Sequence, residues 1–192
     1  MKSRTAPLLL LLAVCATALP ARAQFGVELS GAGDVALQDL GPSDLGTGLG
    51  FGATLTYRFM PHLSAYAGWG WNHFSADGAP AGSDGNAEET GYTFGLQFAH
   101  PIGTAPVGYY VAAGGVYDHI EFEDADGDLV GDTGHGLGWQ VGAGLVVPLS
   151  SRVSLTPGLR YRSLSRELEV GGAMTDMDLR YVSGRVGVAA SF

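Results

Sequence analysis

From residue 24 onward, apolar side chains alternate with polar or small ones over eight stretches, separated by clusters of Gly, Pro and acidic residues. Period two sends successive side chains to opposite faces of a strand. Each stretch is near the roughly 9 to 11 residues with which a tilted strand crosses a bilayer. The stretches run at about 24–33, 48–60, 62–74, 90–100, 107–119, 136–148, 152–168 and 178–192. Their connections alternate in length. Pro61, the segment 101–106 and the segment 149–151 are short, whereas 34–47, 75–89, 120–135 and 169–177 are long and acidic. Short turns at one end and long loops at the other are the signature of transmembrane barrels.

Several stretches carry one clean apolar face: Phe51, Ala53, Leu55, Tyr57 and Phe59; Leu63, Ala65, Ala67, Trp69 and Trp71; Tyr92, Phe94, Leu96 and Phe98; and the odd positions from Leu137 to Val147. Their alternate positions hold Gly, Thr, Ser, Gln or Arg, apart from Tyr66 and Val146. Period alone does not say whether the apolar face is outside, as in lipid, or inside, as in a water-soluble barrel. The aromatics decide for lipid. With strand directions assigned, Phe25, Tyr57, Phe59, Phe98, Tyr109 and Phe192 fall at the turn end, and Trp69, Trp71, Tyr92, Tyr117, Trp139, Tyr161 and Tyr181 nearer the loop end. Two aromatic belts match the two membrane interfaces. The expected fold class is therefore all-β, a transmembrane antiparallel up-and-down barrel of eight strands, closed because an open sheet edge finds no hydrogen-bond partner in lipid.

The first 23 residues read as a cleaved export signal: Lys2 and Arg4, an apolar run from Leu8 to Leu19, and Ala21-Arg22-Ala23 as a small-x-small cleavage site. The run Leu12-Ala13-Val14-Cys15 also resembles a lipobox, although Val14 stands where a small residue is preferred. The expected division is 1–23 signal peptide and 24–192 barrel domain. Cleavage removes Cys15, so no disulfide framework or thiolate chemistry remains. It also removes Lys2, Arg4 and Arg22, leaving seven basic residues, all Arg, against 19 acidic ones and moving the formal net charge from −9 to −12. That balance argues against a nucleic-acid partner.

The last stretch holds Arg185-x-Gly187-x-x-Ala190-x-Phe192, a polar, Gly, hydrophobic, terminal-aromatic pattern that resembles the carboxy-terminal assembly signal of outer-membrane barrels. With the export signal and the strand count, the chain resembles the small OmpA-like and OmpX-like barrels. The resemblance implies a monomer in the bacterial outer membrane, with periplasmic termini and extracellular long loops. It implies lipid, lipopolysaccharide and the barrel assembly machinery as partners. Tyr181 and Phe192 have opposite parity, so either Tyr181 points inward or a bulge separates them.

Outward apolar faces leave Glu28, Arg58, Gln97, Gln140, Arg160, Arg162 and Arg185 for the lumen. Eight strands leave room for side chains and little else. These charges are therefore expected to form a packed ion network, with Glu28 meeting Arg58 or Arg185; a narrow ion path through them is the alternative. Asp124, Asp126, Asp128 and Asp132 place carboxylates as at the start of an EF-hand calcium loop, but Leu129 replaces the turn Gly and no closing Glu follows. No cofactor other than Ca²⁺ is suggested. His73 and Ser75 share one strand face and resemble the His and Ser pair of lipid A deacylases, with Ala76 where that family has Asn. His62, His100, His119 and His135 show no metal-ligand spacing. The expected function is a non-enzymatic outer-membrane barrel with a structural or surface-interaction role; a lipid-modifying enzyme and a narrow channel are the alternatives.

Overall fold

The computed structural model describes residues 24–37, 44–77, 85–124, 126–170 and 173–192. The expected signal peptide lies outside the described residues. The strands are β1 (Phe25–Ala36), β2 (Asp44–Met60), β3 (Leu63–Asp77), β4 (Gly85–Pro101), β5 (Gly108–Glu123), β6 (Leu129–Asp132), β7 (Gly136–Pro148), β8 (Val153–Val170) and β9 (Ala173–Ser191). The eight long strands pair antiparallel in sequence order, and β1 pairs with β9 from Gly26↔Ser191 to Ala36↔Tyr181. That last ladder closes the sheet into an eight-stranded barrel, so the long strands present no free edge to lipid. β6 is a short flap paired to the loop end of β5.

The β2–β3 ladder shifts register between Leu45 and Gly48 and between Arg58 and Met60, and a further break has a clear cause. Pro157 lacks an N–H, and the β7–β8 ladder is interrupted opposite it, resuming at Val147↔Leu155. Inward glycines make room for two tyrosines lying across the lumen. A Cβ on Gly95 would stand 2.7 Å from the Tyr66 hydroxyl, and one on Gly144 would stand 2.6 Å from the Tyr110 ring.

Through the middle of the barrel the outer face is apolar and the inner face polar. Leu29 (64 % exposed), Phe51, Leu55, Phe94, Val141, Leu159 (62 %) and Val188 all point outward. Turn-end aromatics group outside, as in Phe25 against Tyr57 at 5.0 Å; at the other end Phe51 meets Trp69 and Trp71, and Trp139 meets Tyr161 at 5.2 Å.

Beyond the loop-end aromatics the strands continue without breaking alternation, but its sense inverts. On β5, His119, Glu121 and Glu123 turn outward while Ile120 and Phe122 are buried inside; on β9, Asp178 and Arg180 turn outward while Met177 and Leu179 are buried. On β3 and β4, His73 and Glu88 face out while Phe74 and Ala87 face in. The barrel is thus lipid-adapted over its membrane span and built like a water-soluble barrel above it. This corrects the expected boundaries: 85–89, 120–123 and 173–177, assigned to loops from their charge, are strand. β6 was likewise expected as loop. Tyr181 is also corrected, since it is fully buried in the lumen in unbroken register and belongs to neither aromatic belt.

The membrane span makes a depth-dependent prediction. Leu159→Arg, in the apolar band, should cost about 2 to 4 kcal/mol, and Leu137→Arg, near the loop-end rim, about 0 to 1 kcal/mol. Reversible urea unfolding from lipid vesicles measures both.

Candidate functional site

The lumen is stacked in three layers. At the turn end a cavity of about 630 Å³ is lined by Glu28, Thr54, Gln97, Tyr110, Thr156 and Arg185 among others, and reaches the connecting turns at Pro61, Pro106 and Arg152. Glu28 is ion-paired with Arg185 across the β1–β9 seam, and the Thr156 hydroxyl donates to the other Glu28 oxygen at 2.8 Å. Arg58, on the same strand face, stands exposed at the cavity mouth and not in this pair.

The middle layer is a charged network. Arg162 and Glu89 form a buried ion pair, and Tyr181 donates its hydroxyl proton to the same carboxylate. Asn72 Nδ2 donates to Glu89 at 3.3 Å, Arg162 donates to Gln140 Oε1 at 3.0 Å, and Gln140 Nε2 donates to the Tyr66 hydroxyl at 3.1 Å. Arg162 also lies 5.6 Å over the buried Tyr181 ring, a cation–π contact. Arg160 donates to Ser183 Oγ at 3.2 Å and Asn72 Oδ1 at 3.5 Å. Asp34 is buried in the same layer, next to Asn72. A buried charge is tolerated only when paired and hydrogen-bonded, and for Arg162 and Glu89 the network supplies both.

The loop-end layer is apolar. Phe74, Ile120, Phe122, Leu164, Met177 and Leu179 are buried together, with the Phe74 ring edge-on to Tyr181 at 5.1 Å. Within it, Arg166 is ion-paired with Asp118, which is buried between Val116 and Ile120 on the inward face of β5, and Arg166 also donates to the carbonyls of Gly136 at 2.9 Å and Leu137 at 3.1 Å. None of the apolar-layer side chains lines the turn-end cavity, which stops at the charged network.

Sequence reasoning named Glu28, Arg160, Arg162 and Arg185 but missed Glu89, Asp34, Asp118 and Arg166. Glu89 and Asp34 lay in stretches taken for loops. Parity was the available signal: Glu89 shares the face of Gln97, and Arg166 that of Arg160 and Arg162.

Outside the barrel, His73 Nδ1 is 3.0 Å from Glu88 Oε1, Trp71 Nε1 donates to Glu88 Oε2 at 3.0 Å, and the Trp71 and His73 rings stack at 5.6 Å. Ser75 is exposed on the same face. In the third loop, Asp124 Oδ1 accepts the backbone N–H groups of Asp126 and Asp128 at 3.0 Å each, a self-capped turn of ordinary kind. Asp132 instead turns to His119, at 3.3 Å. The histidines that looked scattered come together in two pairs, His62 with His100 at 4.6 Å between ring centroids and His119 with His135 at 4.4 Å.

Residues 6–192 match the family model described as outer membrane protein beta-barrel domain. Solved structures of similar fold include Neisserial surface protein A (NspA), at 16% identity and TM-score 0.64 over 88% of this chain and 97% of that one. OprG of Pseudomonas aeruginosa is similar at 14% identity and TM-score 0.63, over 89% and 97%. Outer membrane protein W of E. coli is similar at 15% identity and TM-score 0.59, over 91% and 100%. No curated protein matches the sequence.

Proposed function

Because this chain belongs to the outer-membrane-protein β-barrel family, we propose that it is a monomeric, non-enzymatic barrel that holds an acidic surface above the membrane and does not conduct. The observation that carries this reading is the buried apolar layer across the loop end of the lumen. Ions need water or a continuous line of polar groups along their path, and here Phe, Ile, Leu and Met side chains close around the buried Arg166–Asp118 ion pair. In this reading the short turns and both termini face the periplasm and the long loops face outward, as turn length does in such barrels. Lipid and lipopolysaccharide contact the outer face, and the pattern Arg185, Gly187, Ala190 and Phe192 serves the assembly machinery. Protease added to intact cells should cut the long loops alone, and planar-bilayer recordings of the purified barrel should show no steps. Steps that change on Arg160→Ala would replace this reading with a channel.

One observation favours a second reading. Glu88 holds His73 as a carboxylate holds the imidazole of a catalytic triad, with Ser75 two residues along the same face. Here Ser75 Oγ would attack an ester carbonyl of a lipid acyl chain while His73 takes its proton; the ester C–O bond would break with that proton passed to the departing lipid alkoxide, water would then free the acyl group from Ser75 as fatty acid, and Glu88 would orient the ring. Release of fatty acid from outer-membrane lipid that is lost in Ser75→Ala would establish the enzyme.

A further inference from the structure

We infer that His119, Glu121 and Asp132 bind a divalent transition-metal ion of the zinc type, clamping the β6 flap to the barrel wall. His119 Nδ1 lies 3.3 Å from Asp132 Oδ1 and 3.8 Å from Glu121 Oε1, and one ligand atom from each residue lies within 4.8 Å of the other two. Among the described residues no other group of three brings His, Cys or carboxylate ligands this close. Ligands about 2.0 to 2.1 Å from one tetrahedral ion stand roughly 3.3 to 3.5 Å apart, so the widest pair has to close by at most about 1.4 Å, within the reach of side-chain rotation.

Charge gives an independent reason. Glu121 and Asp132 are direct cross-strand partners, and like charges in that position repel. The repulsion sits on an already acidic surface, where a cation removes it. Two supports preset the ligands: Gly134 N donates to Asp132 Oδ1 at 2.7 Å, and the His135 ring stacks on His119 with 13° between planes. Asp132 remains 43 % exposed, so an ion can enter from solvent. A nitrogen ligand with two carboxylates suits zinc better than calcium, which prefers oxygen ligands alone. Because the ligands come from both β5 and β6, binding would hold the flap against the wall.

Isothermal titration of the refolded barrel with Zn²⁺ alone tests this. One ion per barrel should bind; His119→Ala and Asp132→Asn should each weaken binding by roughly tenfold or more. Asp126→Asn, on the same acidic loop, should leave it unchanged. Zn²⁺ should also slow proteolysis across 126–131 in the parent but not in His119→Ala. No saturable binding, or affinity unchanged in His119→Ala, overturns the inference. So does equal competition by Ca²⁺, which would mark unspecific attraction to the acidic loop.

Discussion

Glu89→Ala is expected to destabilise the barrel by about 3 to 5 kcal/mol, the range for removing one member of a buried ion pair. The change leaves the Arg162 guanidinium buried without its carboxylate, and also strips Tyr181 and Asn72 of their shared acceptor. The cost is mainly that of an uncompensated charge, so it should largely vanish when the charge goes too. Glu89→Leu combined with Arg162→Met should therefore be far closer to the parent than either single change. Urea midpoints in vesicles, with heat-modifiable gel migration as a check on folding, measure the set. Similar losses in the double and single variants would mean that packing, not charge, holds this layer.

Phe122→Ala should cost about 3 to 5 kcal/mol by leaving a cavity in the loop-end layer. The side chain is fully buried among Ile120, Leu164 and Met177. Phe94→Ala is the matched control, because Phe94 is 48 % exposed on the outer face of β4 and lipid can fill the space it leaves. The two residues differ by environment and not by size. Comparable losses at both positions would show that the layer is not close-packed.

Fold class, strand number and the alternation of short and long connections are all legible in the sequence, since period two and turn residues are local signals. The lumen was only partly legible. Glu28, Arg160, Arg162 and Arg185 follow from the parity of strands whose outer face is plainly apolar. Glu89, Asp118 and Arg166 lie where acidic and basic residues suggest loop, or where the outward side chains have turned polar. Charge was taken there to end the strand, although it marks only the end of the lipid. Beyond that point a barrel wall needs polar residues outside and apolar ones inside, so the same alternation carries the opposite meaning. Tyr181 follows this logic: its parity against Phe192 allowed the lumen or a bulge, and the unbroken β1–β9 register places it in the lumen. The pairing of His119 with Asp132 was not legible, because β6 and its register exist only once the third loop folds back.

The inversion itself is most directly tested on β5, one strand that crosses both environments. Residues 24–192 contain no Cys, so single nitroxide labels can be placed at outward positions Val111, Ala113, Glu121 and Glu123 of the barrel. Electron paramagnetic resonance in vesicles compares their access to oxygen, which partitions into lipid, and to a water-soluble nickel chelate. Labels at 111 and 113 should be relaxed chiefly by oxygen and those at 121 and 123 chiefly by nickel, with the change falling near Tyr117. Oxygen-dominated relaxation continuing through 123 would place the whole strand in lipid and contradict a barrel that changes its chemistry partway along its length.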